Sequence, residues 1–323
     1  MMLKPVLVLL FVCVVVSNAG NVLQLLKNRA THSQFAELLE STEGVHKHYM
    51  EGYLTLFAPS NTALNQYKGD RNKALLLNHI ASAFPHSNLQ TVNTAISEDE
   101  LEERLTSLLQ GHPPLWVRRK NSELYVNQAK VSLVLPVTTD TGNKQFLYLI
   151  DSVLEPLIPQ AENSVADYVD IKAGDILNNT QKYKLGEYSI DKYTEQIRSL
   201  GMDKFPEFEQ YGKYTFFLPV DSAFQGLDKG LVDQEVVKSH IVPGNLLFTQ
   251  PSSRQGQYSE LFPSLQYKQV SMEVKVGVSM YESDDGSIKV QSQTMTGNRN
   301  HPRGQVISTI VKVFILIKIF IFC

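Results

Sequence analysis

The chain contains very little cysteine. Two cysteines occur among its 323 residues, Cys13 and Cys323. Cys13 lies in an apolar N-terminal run that we expect to be removed, so the mature chain would keep one thiol and no internal disulfide. Small secreted domains usually need disulfides because their cores are thin. Without disulfides the chain needs larger domains, and its length fits two domains of roughly 140 to 160 residues each.

Sequence motifs of catalysis, metal binding and nucleic-acid binding are also absent. We find no nucleophile elbow, no phosphate-binding glycine loop and no His-Glu-x-x-His metal motif. His46 and His48 would supply two metal ligands, and two ligands do not make a site. The net charge of −3 comes without a clustered basic face. We therefore predict that the protein is not an enzyme and uses no cofactor, no metal and no nucleic-acid partner.

An uninterrupted apolar run of about 20 residues, the length that crosses a bilayer, is missing. Pro5 to Val16 form a shorter apolar run that follows Lys4 and precedes the small residues Ser17 and Ala19. This order is typical of a cleaved secretory signal peptide. We predict a signal peptide at residues 1–19 and a secreted protein. An uncleaved anchor or a buried N-terminal strand is the alternative.

The C-terminal tail, Val313–Cys323, is apolar but contains Lys318 and follows Lys312. Lysines are costly within a bilayer, which argues against a spanning helix. As a glycosylphosphatidylinositol (GPI) attachment signal, the tail would place the protein on the cell surface. As an atypical end, it would replace the last strand of the second domain. We favour the last interpretation, so a membrane anchor is not favoured and a GPI-anchored cell-surface protein is the alternative.

A single N-x-S/T sequon occurs at Asn178-Asn179-Thr180. In a secreted chain this tripeptide predicts an exposed segment that can carry a glycan. Asn178 is therefore the candidate glycosylation site, and its modification would make the protein a glycoprotein.

An internal repeat determines the predicted architecture. The segment Thr55–Leu64 matches the segment Thr215–Phe224: both read Thr, apolar, Phe, apolar, Pro, two variable positions, a polar residue, Ala, apolar. Proline ends a strand because it cannot donate a ladder hydrogen bond, and the polar residues after it can cap a helix. Each copy is therefore predicted to be a buried strand that turns into a short helix. The structural residues of this first box are Thr55, Phe57, Pro59 and Asn61 in one copy and Thr215, Phe217, Pro219 and Asp221 in the other.

A second box follows each first box at nearly the same distance. It is Leu75–Ile80 in the first copy and Val236–Val242 in the second, and each contains a His-Ile pair. We consider two hypotheses for these pairs, His79 and Ile80, and His240 and Ile241. They either bind a partner or contribute a core histidine that ties a helix to the sheet by a hydrogen bond. The second hypothesis is favoured.

The order of elements within the first copy predicts an α+β domain. Helical patterns come first, and strand patterns separated by turn residues come last. Ser97–Glu100 reads as a capping box, and it predicts a helix with leucines at 101, 105, 108 and 109 on one face. Arg118-Arg119-Lys120 is a basic cluster that either contacts an acidic glycan or lies in a solvated hairpin. Prolines at 156 and 159 mark a boundary, which gives domains at 20–159 and 160–323.

The repeated boxes resemble the fasciclin (FAS1) domain family. Further matches are Leu124–Val131 and the closing segment Leu149–Leu154. The whole chain resembles the first half of an insect fasciclin-like or midline-fasciclin-type protein. The resemblance implies two tandem α+β domains, each a β-sandwich-like wedge with helices packed on one side. It also suggests that the second domain lacks its last strand, because the chain departs from the family pattern after Lys312.

The resemblance further implies a secreted or membrane-anchored adhesion protein. Its expected partners are extracellular proteins, such as integrin-like receptors or matrix proteins, or glycosaminoglycans. In several family members a Tyr-His pair is associated with integrin binding, whereas Asn78 and Ser239 precede the histidines here. This departure weakens the argument that the chain binds an integrin. The alternative function is a soluble extracellular carrier or signalling-factor binding module, which would need a deep apolar pocket.

Overall fold

A computed structural model describes residues 20–50, 52–92, 101–120, 122–155, 172–180, 189–224, 232–248, 254–255, 262–266, 274–282, 288–296 and 314–315. The predicted signal peptide and the prolines of the predicted domain boundary lie outside these residues. Both therefore stay predictions.

The first domain begins with helices and ends with strands, as the order of patterns predicted. Its helices are α1 (Val22–Lys27), α2 (Ser33–Ser41), α3 (His46–Met50), α4 (Asn61–Gln66) and α5 (Lys73–Asn78). Its strands are β1 (Leu54–Pro59), β2 (Ile80–Ala81), β3 (Glu102–Thr106), β4 (Pro114–Lys120), β5 (Glu123–Val126), β6 (Ala129–Thr138) and β7 (Lys144–Ile150). Short 3-10 turns lie at Ala30–His32 and Ser87–Leu89.

The seven strands form one sheet in the order β2-β1-β7-β6-β5-β4-β3. β1 and β7 are parallel, and the other neighbours are antiparallel. The start of β6 pairs with β5, and the rest of β6 pairs with β7 after an irregularity between Val131 and Leu133. A bulge bends the strand that carries it. The bend lets the two halves of the sheet enclose a core between them.

Alternating side chains of the central strands supply two cores. On β1, Leu54, Leu56 and Ala58 pack in a cluster with residues of α1, α2, α4 and α5. Phe57 points to the opposite face and packs with residues of β4, β5 and β7. Every residue of β1 is buried, as expected for a strand covered on both faces. The α+β wedge with helices on one side is therefore confirmed.

The helix predicted over residues 101–109 is wrong. Residues 102–106 form strand β3, which pairs antiparallel with β4 from Glu102 opposite Arg118 to Thr106 opposite Pro114. Leu105 is buried in the core between the two halves of the sheet. The four residues of the proposed capping box, 97–100, lie outside the described part of the chain.

The N-terminal half of the second domain resembles that of the first domain, because in both domains helices precede the strand of each box. Its helices are α6 (Ala173–Asn178), α7 (Asp191–Leu200) and α8 (Gln234–Ser239). Its strands are β8 (Tyr214–Phe216), β9 (Leu218–Pro219), β10 (Ile241–Pro243), β11 (Arg254–Gln255), β12 (Phe262–Pro263), β13 (Val274–Glu282), β14 (Ile288–Thr296) and β15 (Phe314–Ile315). Short 3-10 turns lie at Met202–Lys204, Pro206–Phe208 and Asp221–Phe224.

The two boxes of each domain pair in the same register. In the first domain Thr55 lies opposite Ala81, and Leu56 lies opposite Ile80. In the second domain Thr215 lies opposite Val242, and Phe216 lies opposite Ile241. The sequence repeat is therefore also a structural repeat.

The end of the second domain differs from that of the first. β7 pairs with β1 in parallel, whereas Phe314–Ile315 pairs antiparallel with Leu218–Pro219. Among the residues that the structure describes, no strand runs parallel to β8 or β9. The N-terminal half of the second domain packs around a core of aromatic and aliphatic residues that includes Tyr193, Phe208 and Phe216.

Candidate functional site

The threonine at the start of each first box forms a hydrogen bond with the loop that follows the second box. The Thr55 hydroxyl donates to the carbonyl oxygen of Ala83 at 2.7 Å. The Thr215 hydroxyl donates to the carbonyl oxygen of Asn245 at 2.8 Å and accepts from the amide of Leu247 at 2.9 Å. Both threonines are buried, so these bonds satisfy polar groups within the core.

The polar residue of each first box caps a helix that lies far away in sequence. The Asn61 side-chain oxygen accepts from the amide of Gln34 at 3.1 Å, and the Asp221 carboxylate accepts from the amide of Lys192 at 2.9 Å. Both amides belong to the second residue of a helix, α2 or α7, where N–H groups lack an intrahelical partner. A cap of this kind contributes about 1 kcal/mol. The predicted cap on the helix after the box is made by Ser60, which accepts from Ala63 at 3.1 Å.

The aromatic and proline residues of the first boxes have core and boundary roles. Phe57 is fully buried and contacts Tyr148 with ring centroids 5.2 Å apart, and Phe217 is also buried. Pro59 and Pro219 are the last residues of β1 and β9.

His79 is a core residue that joins α5 to the segment after β7. Its Nδ1 lies 2.8 Å from the carbonyl oxygen of Leu75, and its Nε2 accepts from the amide of Leu154 at 3.0 Å. Its ring contacts Phe35 with centroids 5.3 Å apart. Burial lowers the pKa of the His79 imidazole to about 4, although the bond to Leu75 acts in the opposite direction. Neutral His79 with a proton on Nδ1 satisfies both bonds.

His240 occupies the equivalent place in the second domain. Its Nδ1 lies 2.7 Å from the carbonyl oxygen of Val236 and 3.1 Å from the Ser239 hydroxyl. Burial lowers the pKa of His240, and its ring lies 6.0 Å from that of Tyr193. The neighbouring residues Ile80 and Ile241 are buried. These contacts agree with a structural role, and binding of a partner by the two His-Ile pairs stays a hypothesis.

The sequon asparagine lies at the surface. Asn178 is the last residue of α6 and is exposed, together with Asn179. The Thr180 hydroxyl donates to the Asp191 carboxylate at 2.9 Å. An accessible asparagine side chain is what N-glycosylation requires of an acceptor.

The basic cluster of β4 is not a solvated hairpin. The Arg119 side chain is only 2% exposed and donates to the carbonyl oxygens of Asn88, Thr91 and Val92. It therefore holds the segment that precedes β3. The Lys120 ammonium lies 5.3 Å from the ring centroid of Phe262, a residue of the second domain. The solvated alternative fails because Arg119 is buried against a segment of the first domain and Lys120 lies beside Phe262 of the second.

Glu102 joins charged residues of the two domains. Its carboxylate lies 2.7 Å from the Arg118 guanidinium of the neighbouring strand and 2.6 Å from the Lys213 ammonium of the second domain. Arg118 also donates to the carbonyl oxygen of Leu246 at 3.1 Å, and its guanidinium lies 4.5 Å from the ring centroid of Phe248. The Lys213 ammonium in turn lies 4.7 Å from the ring centroid of Trp116.

An apolar contact lies beneath these charges. Trp116 of β4 packs with Leu246 and Phe248 in a buried cluster that spans the two domains. A cleft of about 260 Å³ lies beside it and is lined by residues of both domains, including Glu102, Lys120 and Asn245. We call the contacts of Glu102, Trp116, Arg118, Lys213, Leu246 and Phe248 the domain junction. The sequence drew attention only to the basic cluster, since the other junction residues belong to no motif.

The described part of the chain lacks the features of a metal site and of a membrane-spanning helix. Within the described ranges, no group of three or more His, Cys, Asp or Glu side chains is placed to hold a metal ion. None of the helices in the same ranges has both the length and the apolar character needed to cross a membrane.

The fold and the repeated boxes define a class of protein: two tandem α+β domains joined by a mixed polar and aromatic junction. The family model of the fasciclin domain matches residues 30–156 and again residues 192–316. The chain belongs to the fasciclin domain family.

Two relatives carry the name Fasciclin-1. The protein from Schistocerca americana is 31% identical over 294 residues, which cover 88% of this chain and 41% of the relative. The protein from Drosophila melanogaster is 28% identical over 297 residues, which cover 91% of this chain and 42% of the relative. The chain thus spans less than half the length of each relative.

Proposed function

We propose that this protein acts in cell adhesion outside the cell, through protein–protein or protein–glycan contacts made by its two fasciclin domains. The observation that carries the proposal is that the chain contains two fasciclin domains. Resemblance to this family implies a role in adhesion. Two linked modules bind a surface more tightly than one, because the second binding event becomes intramolecular. Weak individual contacts would then suffice for adhesion.

The proposed setting is the extracellular space, with residues 1–19 as a cleaved signal peptide. The near absence of cysteine is compatible with this setting, because both domains have extensive buried cores and do not depend on disulfides for them. GPI anchoring at the cell surface is the alternative. The proposed partners are receptors or matrix proteins and glycosaminoglycans. Asn78 and Ser239 at the positions before the histidines count against an integrin of the Tyr-His-dependent kind.

A non-catalytic role is part of the proposal. The strongly lowered pKa of His79 marks a buried histidine that is bonded to two backbone groups, and such a shift is not by itself a sign of catalysis. The junction cleft is lined mainly by charged and polar residues. It therefore does not match the deep apolar pocket that a carrier of small apolar ligands would need.

A bead assay tests the proposed function. Beads coated densely with the full mature chain are expected to bind cells or matrix-coated surfaces, whereas the soluble chain at the same total concentration binds weakly. The control variant Phe57→Ala removes a fully buried ring from the core of the first domain, is expected to destabilise that domain by about 3–5 kcal/mol, and should lose binding. Equal binding by coated beads and by beads coated with that variant, or no binding at any coating density, would contradict the proposal.

Glycosylation at Asn178 is expected in protein collected from the medium of expressing cells. Enzymatic removal of N-glycans should lower the mass of the wild-type chain in one discrete step, and Asn178→Gln should abolish the step. Asn179→Gln is the matched control, because it leaves an intact sequon at Asn178 and should keep the glycan. A wild-type chain whose mass does not change on enzymatic treatment would show that this site is not used.

A further inference from the structure

Separate domains of one chain usually move relative to each other unless their interface is large and hydrophobic. The junction here combines ion pairs with an apolar cluster, and its contacts differ in how far they are shielded from solvent. The Arg118 side chain is 11% exposed and that of Glu102 is 22% exposed, whereas that of Lys213 is 47% exposed. Exposed ion pairs contribute little to stability, because solvent screens them and holding two long side chains together costs entropy. Lys213 therefore belongs to the rim of the interface and Arg118 to its centre.

Arg118 combines an ion pair, a hydrogen bond and an aromatic contact at the junction. Its guanidinium lies 2.7 Å from the Glu102 carboxylate and donates to the Leu246 carbonyl oxygen, and its Cζ lies 4.5 Å from the ring centroid of Phe248. A planar guanidinium can make these contacts together, whereas an ammonium group cannot reproduce their geometry. The bond to Leu246 and the cation–π contact with Phe248 both reach into the second domain, and these two residues also pack against Trp116. Arginine and tryptophan are the residue types that most often dominate interface energetics.

We propose that Arg118 locks the two fasciclin domains at one fixed angle, so that the pair moves as a single rigid unit. The lock consists of the Arg118 contacts together with the buried Trp116, Leu246 and Phe248 cluster. Lys213 supports the lock only weakly. The inference does not depend on the adhesive function, but a fixed angle would hold the outward faces of the two domains in one arrangement toward a partner.

The distance between the domains tests the lock directly. Spin labels are attached to the full mature chain at Thr141→Cys in the first domain and Lys204→Cys in the second, with the native Cys323 replaced by serine. Both labelled positions are exposed. Pulsed electron paramagnetic resonance then measures the distribution of distances. The wild type is expected to give a narrow distribution, and Arg118→Gln a broad one. Arg118→Lys should lie close to Arg118→Gln, because it keeps the charge and loses the planar geometry.

Lys213→Gln is the matched control, since it removes the rim cation and should leave the distribution nearly as narrow as in the wild type. The melting curve of each variant establishes that both domains are folded when distances are compared. If Arg118→Gln fails to fold, Phe248→Leu provides the same test from the second domain, because it removes the aromatic face under Arg118. A wild-type distribution as broad as that of the folded variants would overturn the lock. A broadening by Lys213→Gln as large as that by Arg118→Gln would overturn the role of Arg118.

Discussion

Acidification from pH 7 to pH 5 is expected to lower the free energy of unfolding of the first domain by about 2 kcal/mol through His79 alone. Burial holds the pKa of His79 at about 4 in the folded chain, against an ordinary value of 6.5. Between these two values the unfolded chain binds more protons than the folded chain, so stability falls as the pH falls. The contribution is complete above about pH 6.5 and is lost progressively down to about pH 4.

Denaturant unfolding of the full chain at several pH values measures this effect. Trp116, the only tryptophan of the chain, lies on β4 at the domain junction, so its fluorescence reports unfolding of the first domain together with opening of the junction. His79→Gln should flatten the dependence on pH in this window, and His32 and His48, whose pKa values burial also lowers, leave a residual dependence of the same sign. His86→Gln changes an exposed histidine and should keep the wild-type dependence. A His79→Gln variant with the same pH dependence as the wild type would refute the assignment.

Tyr193→Phe is expected to stabilise the second domain, by about 1–2 kcal/mol. Tyr193 is fully buried, and its hydroxyl has no hydrogen-bond partner among the residues that the structure describes. Burial without a partner costs a hydroxyl its hydrogen bonds to water, and removing the hydroxyl ends that cost. The equivalent residue of the first domain is Phe35, which is also third in its helix and also contacts the box histidine.

Thermal unfolding followed by far-ultraviolet circular dichroism measures the stability of the Tyr193→Phe variant. Tyr214→Phe is the matched control, because the Tyr214 hydroxyl donates to the Gln210 side chain at 3.2 Å. Loss of that satisfied, partly exposed hydroxyl should leave stability unchanged or slightly lower. A Tyr193→Phe chain that unfolds at the wild-type temperature or below it would show that the buried hydroxyl does not destabilise the second domain.

The repeated boxes were predictable because their chemistry is local. A proline after three strand-forming residues ends a strand wherever it occurs, and serine at position 60 caps the helix that follows. The core role of His79 was also the favoured hypothesis, and its two backbone bonds agree with it. The capping of α2 by Asn61 was not predictable, since it joins residues that are 27 positions apart.

The strand at residues 102–106 shows why an apolar pattern can mislead. Leucines at 101, 105 and 109 fit one face of a helix, but all three are odd-numbered and therefore also share one face of an extended chain. The segment Glu102–Thr106 is a strand and not a helix because it pairs with β4. This pairing joins separate parts of the chain, so the local sequence does not encode it. The domain junction was missed for a similar reason. Glu102, Trp116, Lys213 and Phe248 meet only after both domains have folded.

The proposals for adhesion, glycosylation and partner binding all require that the protein leaves the cell. Expression in insect cells, followed by separate analysis of the medium, the detergent-soluble membranes and the phospholipase-released material, tests this requirement most directly. We expect the chain in the medium, with its N-terminus at Gly20. Release from membranes only by phospholipase would assign the C-terminal tail to a GPI signal and place the same function on the cell surface. A chain that stays in the cytosol with Met1 intact would contradict the extracellular account.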